Sequence, residues 1–312
     1  MLEVTAPRPA PRRRRVTLRQ TWPYHLLLLP GLAIILIYTI LPFFGNVIAF
    51  QDFKPIRGFF KSAWVGLDNF RYMFRLRDTG RIFTNSLVIA SSKLAISLFI
   101  SVLFAILLFE TRGIRTKKSV QTICFLPHFL SWVILANVFK SIFGDTGFVN
   151  TALRQLGMAE TSINFLGSNY IFRQLLIGTH VWKEFGYGAI IFIAALAGIN
   201  PELYEAANID GAGRLAKIRY ITLPGIAVTI VLVATLNLSN VLNAGFDQVY
   251  NMYSPVVYQT GDIIDTYVYR MSFVNTQYSV ATAFGLLKSI LSFLMVAASY
   301  FLADRLVGYR LF

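Results

Sequence analysis

The sequence predicts an all-α integral membrane protein of six transmembrane helices, with both termini on the cytoplasmic side. Three observations predict it. Hydrophobic residues fill 55% of the 312 positions and charged residues only 14%, whereas soluble chains carry about a quarter charged; the mean hydropathy is +0.58. Six apolar stretches are each long enough to cross about 30 Å of hydrocarbon. The basic residues, which set a formal net charge of +14, gather in the segments that this topology places inside.

The elements follow in order. Residues 1–23, with the run PRPAPRRRR, form a basic tail expected to be disordered and cytoplasmic. The rest, 24–312, is the six-helix membrane domain. The first apolar stretch, Leu26–Phe50, exceeds the hydrophobic length of a secretory signal and reads as a span that stays attached, bent at Pro30 and Pro42. The other five are Phe83–Phe109, Ser119–Phe143, Ile171–Leu196, Leu223–Leu242 and Val280–Leu302. The fourth stretch contains His180, Lys183 and Glu184, and the fifth Asn237 and Asn240. No sequence repeat relates the two halves.

Lysine and arginine counts set the orientation. Residues 1–23, 110–118, 198–222 and 303–312 hold fifteen, and the opposite side, 51–82, 144–170 and 243–279, holds nine over a greater length. The basic 51–82 segment runs against this bias. Such an excess fits anionic lipid headgroups. Nucleic acid is excluded as a partner, because the basic residues are not interleaved with aromatics on a soluble domain. Cys124 stands alone, so there is neither a disulfide framework nor a metal spacing.

Between the fourth and fifth stretches lies a polar insert, NPELYEAANIDGAGRLAKIRYITLP, residues 200–224. Asn200-Pro201-Glu202 is a helix start: a capping side chain, a proline at the first helical position, and an acid at the positive end of the dipole. The helix runs through Asn208 and is broken at Gly211 and Gly213. A second short helix, about Arg214 to Tyr220, leads to Leu223-Pro224, where the proline opens the next span. Ala206 and Ala207 leave a smooth patch that another protein can approach closely. Physics alone equally allows an amphipathic connector lying on the headgroups.

The insert resembles the EAA loop of bacterial binding-protein-dependent ABC importers. Glu205-Ala206-Ala207, Asp210-Gly211-Ala212, Ile218, Ile221 and Leu223-Pro224 meet the family pattern in register, with Ile218 where phenylalanine is frequent. The stretches FLPHFLSWVILANVFKSIFGDTGFVN (125–150) and HVWKEFGYGAIIFIAALAGINPELY (180–204) are similar to permeases of complex-sugar importers, the polysaccharide branch of the maltose-like group. The resemblance implies that 198–224 is a cytoplasmic coupling-helix loop seated in a groove on an ATPase subunit. Glu205 and the Ala206/Ala207 patch would touch that subunit, and Gly211 would let the two short helices change angle. It also implies a bacterial inner-membrane subunit working with a second, related permease, two ATPase subunits and an extracytoplasmic sugar-binding protein. No cofactor is then expected on this chain, ATP and magnesium belonging to the ATPase subunits.

Ionisable groups at membrane depth face cavities or partners. Lys93 and Lys288 either snorkel, sit at helix contacts or touch substrate, and these alternatives stay open. His180 and Glu184, four apart, are expected to pair on one helical face, leaving Lys183 to point elsewhere as a cavity candidate. Asn237, Asn240 and Asn243 form a stripe of amides that suits either sugar hydroxyls or bonds between helices. Tyr187, Tyr250 and Tyr258 are candidates for stacking on sugar rings. No P-loop, H-E-x-x-H or G-x-S-x-G motif is present, which argues against an ATPase or an intramembrane enzyme. The competing reading is a self-contained secondary transporter with Glu184 as its ion-coupling carboxylate; such a protein has no use for the 200–224 insert.

Overall fold

The long apolar stretches fold as helices, and where they cease to be straight a proline or a capping residue marks the place. The computed structural model describes residues 18–238 and 240–307; most of the basic tail expected at 1–23 lies outside them. The described residues up to Val47 form one unit and those from Ile48 onward a second. In the first unit a helix spans Leu18–Ile35 and continues through Pro30 without interruption. A π-helical turn, Leu36–Ile40, follows, in which the Leu41 N–H reaches the Leu36 carbonyl. This wider turn falls immediately before Pro42, which has no N–H to offer the helix.

Among the described residues, four helices are long and apolar enough to cross a membrane: Trp22–Phe50, Thr79–Glu110, Arg214–Leu238 and Tyr278–Phe301. Two bent pairs, Ile114–Phe129 with Trp132–Gln155 (102°) and Phe172–Ala197 with Pro201–Ile209 (70°), raise the number to six if each pair is one span. The continuous span expected at Ser119–Phe143 is therefore broken. Its first part ends in the 3-10 turn Leu126–Phe129, which contains Pro127. Leu130 and Ser131 are then extended, and Ser131 caps the next helix by accepting the Ile134 N–H at 3.4 Å.

The fifth stretch also departs from expectation. Leu223-Pro224 opens no new helix; a π-turn, Ile218–Thr222, joins Arg214–Lys217 to Leu223–Leu238 without a break. Here the Leu223 N–H reaches the Ile218 carbonyl, repeating the arrangement before Pro42. At its other end this helix is described to Leu238 rather than Leu242; beyond it the Asn240 N–H bonds to the Asn237 carbonyl at 3.0 Å and the Asn243 N–H to the Asn240 carbonyl at 2.8 Å, as in tight turns.

The Thr79–Glu110 and Phe172–Ala197 helices lie along each other and form the centre of the second unit. Lipid gives helices no hydrophobic reason to associate, so close packing of small residues must do it. Gly188 meets that need, since a Cβ there would sit 2.8 Å from the Ser101 hydroxyl oxygen; Gly186 does the same for the Ile114–Phe125 helix, where a Cβ would sit 2.1 Å from the Cys124 carbonyl oxygen. Ser101 adds a hydroxyl that donates to the Phe185 carbonyl at 2.9 Å. Ala105, Ile106, Ala189, Phe192, Leu196 and Ile226 continue this seam as one buried cluster that brings the Leu223–Leu238 helix against the same pair. A short antiparallel ribbon pairs Gln51 with Trp64 and Asp52 with Ala63.

Candidate functional sites

The insert forms a two-helix joint with the first helix and the break that its sequence predicts, but the expected second short helix, about Arg214 to Tyr220, is instead the start of the continuous Arg214–Leu238 helix. Asn200 caps Pro201–Ile209 by accepting the Glu202 N–H at 3.1 Å. At the other end the Ala212 N–H bonds to the Ala207 carbonyl at 2.8 Å and the Gly211 N–H to the Asn208 carbonyl at 3.1 Å. These two bonds define a Schellman closure, which requires a left-handed residue after the cap; Gly211 supplies it with φ +74°. Gly213 is extended and starts the Arg214–Lys217 helix. The two helices are tied by a Lys217 Nζ–Asn208 Oδ1 bond and by Tyr204 Oη to Thr222 Oγ1 at 3.0 Å. Phe109 packs beside Tyr204, linking the joint to the end of the Thr79–Glu110 helix. Glu205, Ala206, Asp210, Leu223 and Pro224 are exposed, and Ala207 and Ala212 are half-buried. Two large apolar side chains stand out from the joint, Ile209 at 87% and Leu215 at 82% exposure.

A cavity of about 320 Å³ is lined by residues of the Thr79–Glu110, Phe172–Ala197 and Leu223–Leu238 helices and of the 240–245 segment. Asn237, Asn240, Asn243 and Tyr187 all line it, as do Lys93, Ser97, His180 and Glu184. The two tight turns beyond Leu238 bring Asn240 and Asn243 round beside Asn237. Tyr187 is stacked on His128, with ring centres 3.8 Å apart and planes at 2°. Lys183 is not on this wall. Its Nζ is buried, donates to the His128 carbonyl at 2.6 Å and lies 3.2 Å from Glu184 Oε1. The expected His180–Glu184 pair does not form: Glu184 Oε2 is bound by His128 Nδ1 at 2.8 Å, and His180 stacks on Trp132. The helical spacing brings the two side chains to one face, but the 126–129 turn supplies a partner that spacing alone does not reveal.

Residues 97–308 match the family described as binding-protein-dependent transport system inner membrane component. The chain belongs to this family. It is 40% identical over 288 residues to Protein LplB of Bacillus subtilis, covering 92% of this chain and 90% of that protein. It is 38% identical over 282 residues to the polygalacturonan/rhamnogalacturonan transport system permease protein YteP of Bacillus subtilis, covering 90% and 87%. Its fold matches that of a chain in the crystal structure of a bacterial ABC transporter involved in the import of the acidic polysaccharide alginate. There the TM-score is 0.85 and the identity 32%, over 93% of this chain and 97% of that one. A second structure, of an alginate ABC transporter in complex with alginate pentasaccharide-bound periplasmic protein, matches with a TM-score of 0.84.

In this inner-membrane permease several cavity residues carry no motif. Ser97 and Ser101 lie four and eight residues after Lys93, on one face of a 3.6-residue helix, and this spacing is the signal that could have found them. Gln248 had none: it is drawn to Lys93 only by the fold, where its Oε1 accepts from Nζ at 2.5 Å and its Nε2 donates to the Leu176 carbonyl and Thr179 Oγ1, each at 2.8 Å. Lys288 sits at a helix contact, 2.5 Å from Asp265.

Proposed function

We propose that this permease subunit pairs with a second, related permease and two ATPase subunits to import a complex sugar. An extracytoplasmic binding protein delivers the oligo- or polysaccharide, and ATP-driven alternating access moves it through a path that includes the Asn237, Asn240, Asn243 and Tyr187 wall. Each bent helix pair counts as one span, giving six, with both termini and the 198–224 loop in the cytoplasm. ATP and magnesium sit on the ATPase subunits.

The observation that carries this reading is the closed two-helix joint at 200–224. Its exposed Glu205, its Ala206/Ala207 patch and its projecting Ile209 and Leu215 make a surface suited to a groove on another protein, because exposed apolar groups rimmed by polar ones mark docking sites. Its braces at Asn208–Lys217 and Tyr204–Thr222 carry a push on that surface into the Arg214–Leu238 helix. Relatives named as polysaccharide permeases support the sugar. Glu184 fits the rival ion-coupling role poorly, since Lys183 and His128 hold both its oxygens.

The test is co-purification. With wild type, the ATPase subunits should remain bound to the permease pair, and binding protein loaded with sugar should stimulate hydrolysis. Glu205→Ala should leave the chain inserted and lower the stimulated rate by about tenfold, the worth of one charged hydrogen bond lost at an interface. An unchanged rate would remove Glu205 from the contact.

A further inference from the structure

Among the described residues, the lysine on the cavity wall has no carboxylate partner. Lys93 is 3% exposed, and no carboxylate among the described residues lies within 4 Å of its Nζ. The carboxylates that form ion pairs elsewhere in the chain have other partners. Its two acceptors are uncharged: the Ala244 carbonyl at 2.6 Å and Gln248 Oε1 at 2.5 Å. An ammonium has three N–H donors, so one is left over. A buried cation without a counter-ion is costly, and at membrane depth such a group marks a substrate or ion path.

Three further features surround it. Gly245, also on the cavity wall, is left-handed at φ +86°, and a Cβ there would sit 3.4 Å from Lys93 Nζ. The absent side chain leaves that flank of the ammonium uncovered. One helical turn along, Ser97 Oγ is buried and has no hydrogen-bond partner. The other charged wall residue, Glu184, is held by Lys183 and His128, which screens it from a bound anion. The remaining titratable wall residues are His180 and Tyr187.

We infer that Lys93 is a specificity-determining residue, its ammonium receiving a carboxylate of the transported sugar, so that the substrate is a uronate-containing oligosaccharide. This rests on the sugar-import reading above. The Asn237–Asn243 stripe would then hold hydroxyls, Ser97 would offer its hydroxyl to the second carboxylate oxygen, and Lys93 would supply the preference for charge. Ammonium–carboxylate bonds are among the strongest hydrogen bonds available to a protein, and the low dielectric of the span strengthens them.

The experiment measures equilibrium binding of three labelled probes to the purified permease–ATPase assembly without binding protein: trigalacturonate, its methyl ester and the neutral trisaccharide maltotriose. The wild type should prefer trigalacturonate to the ester by about tenfold or more. Lys93→Gln should erase that preference, and Lys93→Arg should retain most of it. A merely structural role would weaken all three probes alike and leave the ratio unchanged, which overturns the inference. Equal wild-type affinities for acid and ester overturn it too, without any variant, so a variant that fails to assemble does not spare it. Binding of maltotriose but not trigalacturonate overturns the charge assignment and leaves the sugar reading intact. Binding of none overturns both.

Discussion

Gly211→Pro is expected to uncouple ATP hydrolysis from the permease while the chain still inserts in the membrane. Proline fixes φ near about −65° and has no N–H, whereas Gly211 has φ +74° and donates to the Asn208 carbonyl. Both requirements fail at once. The Schellman closure opens, the Ala212–Ala207 bond goes with it, and the Pro201–Ile209 and Arg214–Leu238 helices lose their fixed angle. The spans are untouched, because residue 211 is exposed and meets nothing within 4 Å where a Cβ would stand. Gly211→Ala is the graded control: it keeps the N–H and pays only the left-handed penalty of about 1–2 kcal/mol. Substrate-stimulated hydrolysis should fall to the unstimulated level with proline and partly with alanine. Full stimulation in the proline variant would show that the joint transmits nothing.

The largest stability effect is expected at Asp262. This carboxylate is almost wholly buried, and Arg270 Nη2 lies 2.5 Å from Oδ2 and Nη1 3.3 Å from Oδ1. Thr266 adds a third donor at 2.8 Å. Burial by itself would lower the Arg270 pKa; the hydrogen bond and charge of Asp262 outweigh it and raise the value above its ordinary range. The Arg270 guanidinium also lies 4.2 Å from the centre of the Tyr258 ring. Asn85 bridges the same junction, donating to the Asp262 and Gln259 carbonyls at 3.1 Å and accepting from Arg173 at 2.7 Å. Removing one member of a buried pair leaves the other uncompensated, so Asp262→Ala should cost about 3–5 kcal/mol. The double change Asp262→Leu with Arg270→Met should recover most of it, since apolar replacement of a buried pair is close to neutral. Thermal unfolding of the purified chain in detergent reads both. A single-variant loss below about 0.5 kcal/mol, the range of an ordinary surface change, would contradict the network.

What was legible in the sequence was local. Asn200, Pro201 and Gly211 specify where one helix begins and ends through backbone groups a few residues away, and the structure has those bonds. The lengths of the Thr79–Glu110 and Phe172–Ala197 helices followed from composition, since every backbone group in lipid must be satisfied within the helix. What depended on neighbours was not legible. Lys183 was expected on the cavity and Lys93 left undecided; the fold reverses them, because the 126–129 turn offers Lys183 a carbonyl and the 244–248 segment presents Lys93 with two. The break at Leu130–Ser131 lies between Pro127 and the capping Ser131, but the length and mean hydropathy of the surrounding run are those of a continuous span, which hides the break. Leu223-Pro224 misled for a related reason: a π-turn absorbs a proline without ending the helix.

The most direct test of the account is uptake by proteoliposomes containing this chain with its partner permease and ATPase subunits. ATP is placed on the ATPase side, and binding protein loaded with labelled trigalacturonate on the other. Accumulation should require both ATP and the binding protein and continue when ion gradients are collapsed. Uptake driven by an ion gradient in the absence of ATP would contradict ATP-driven import and return Glu184 to the centre of the mechanism.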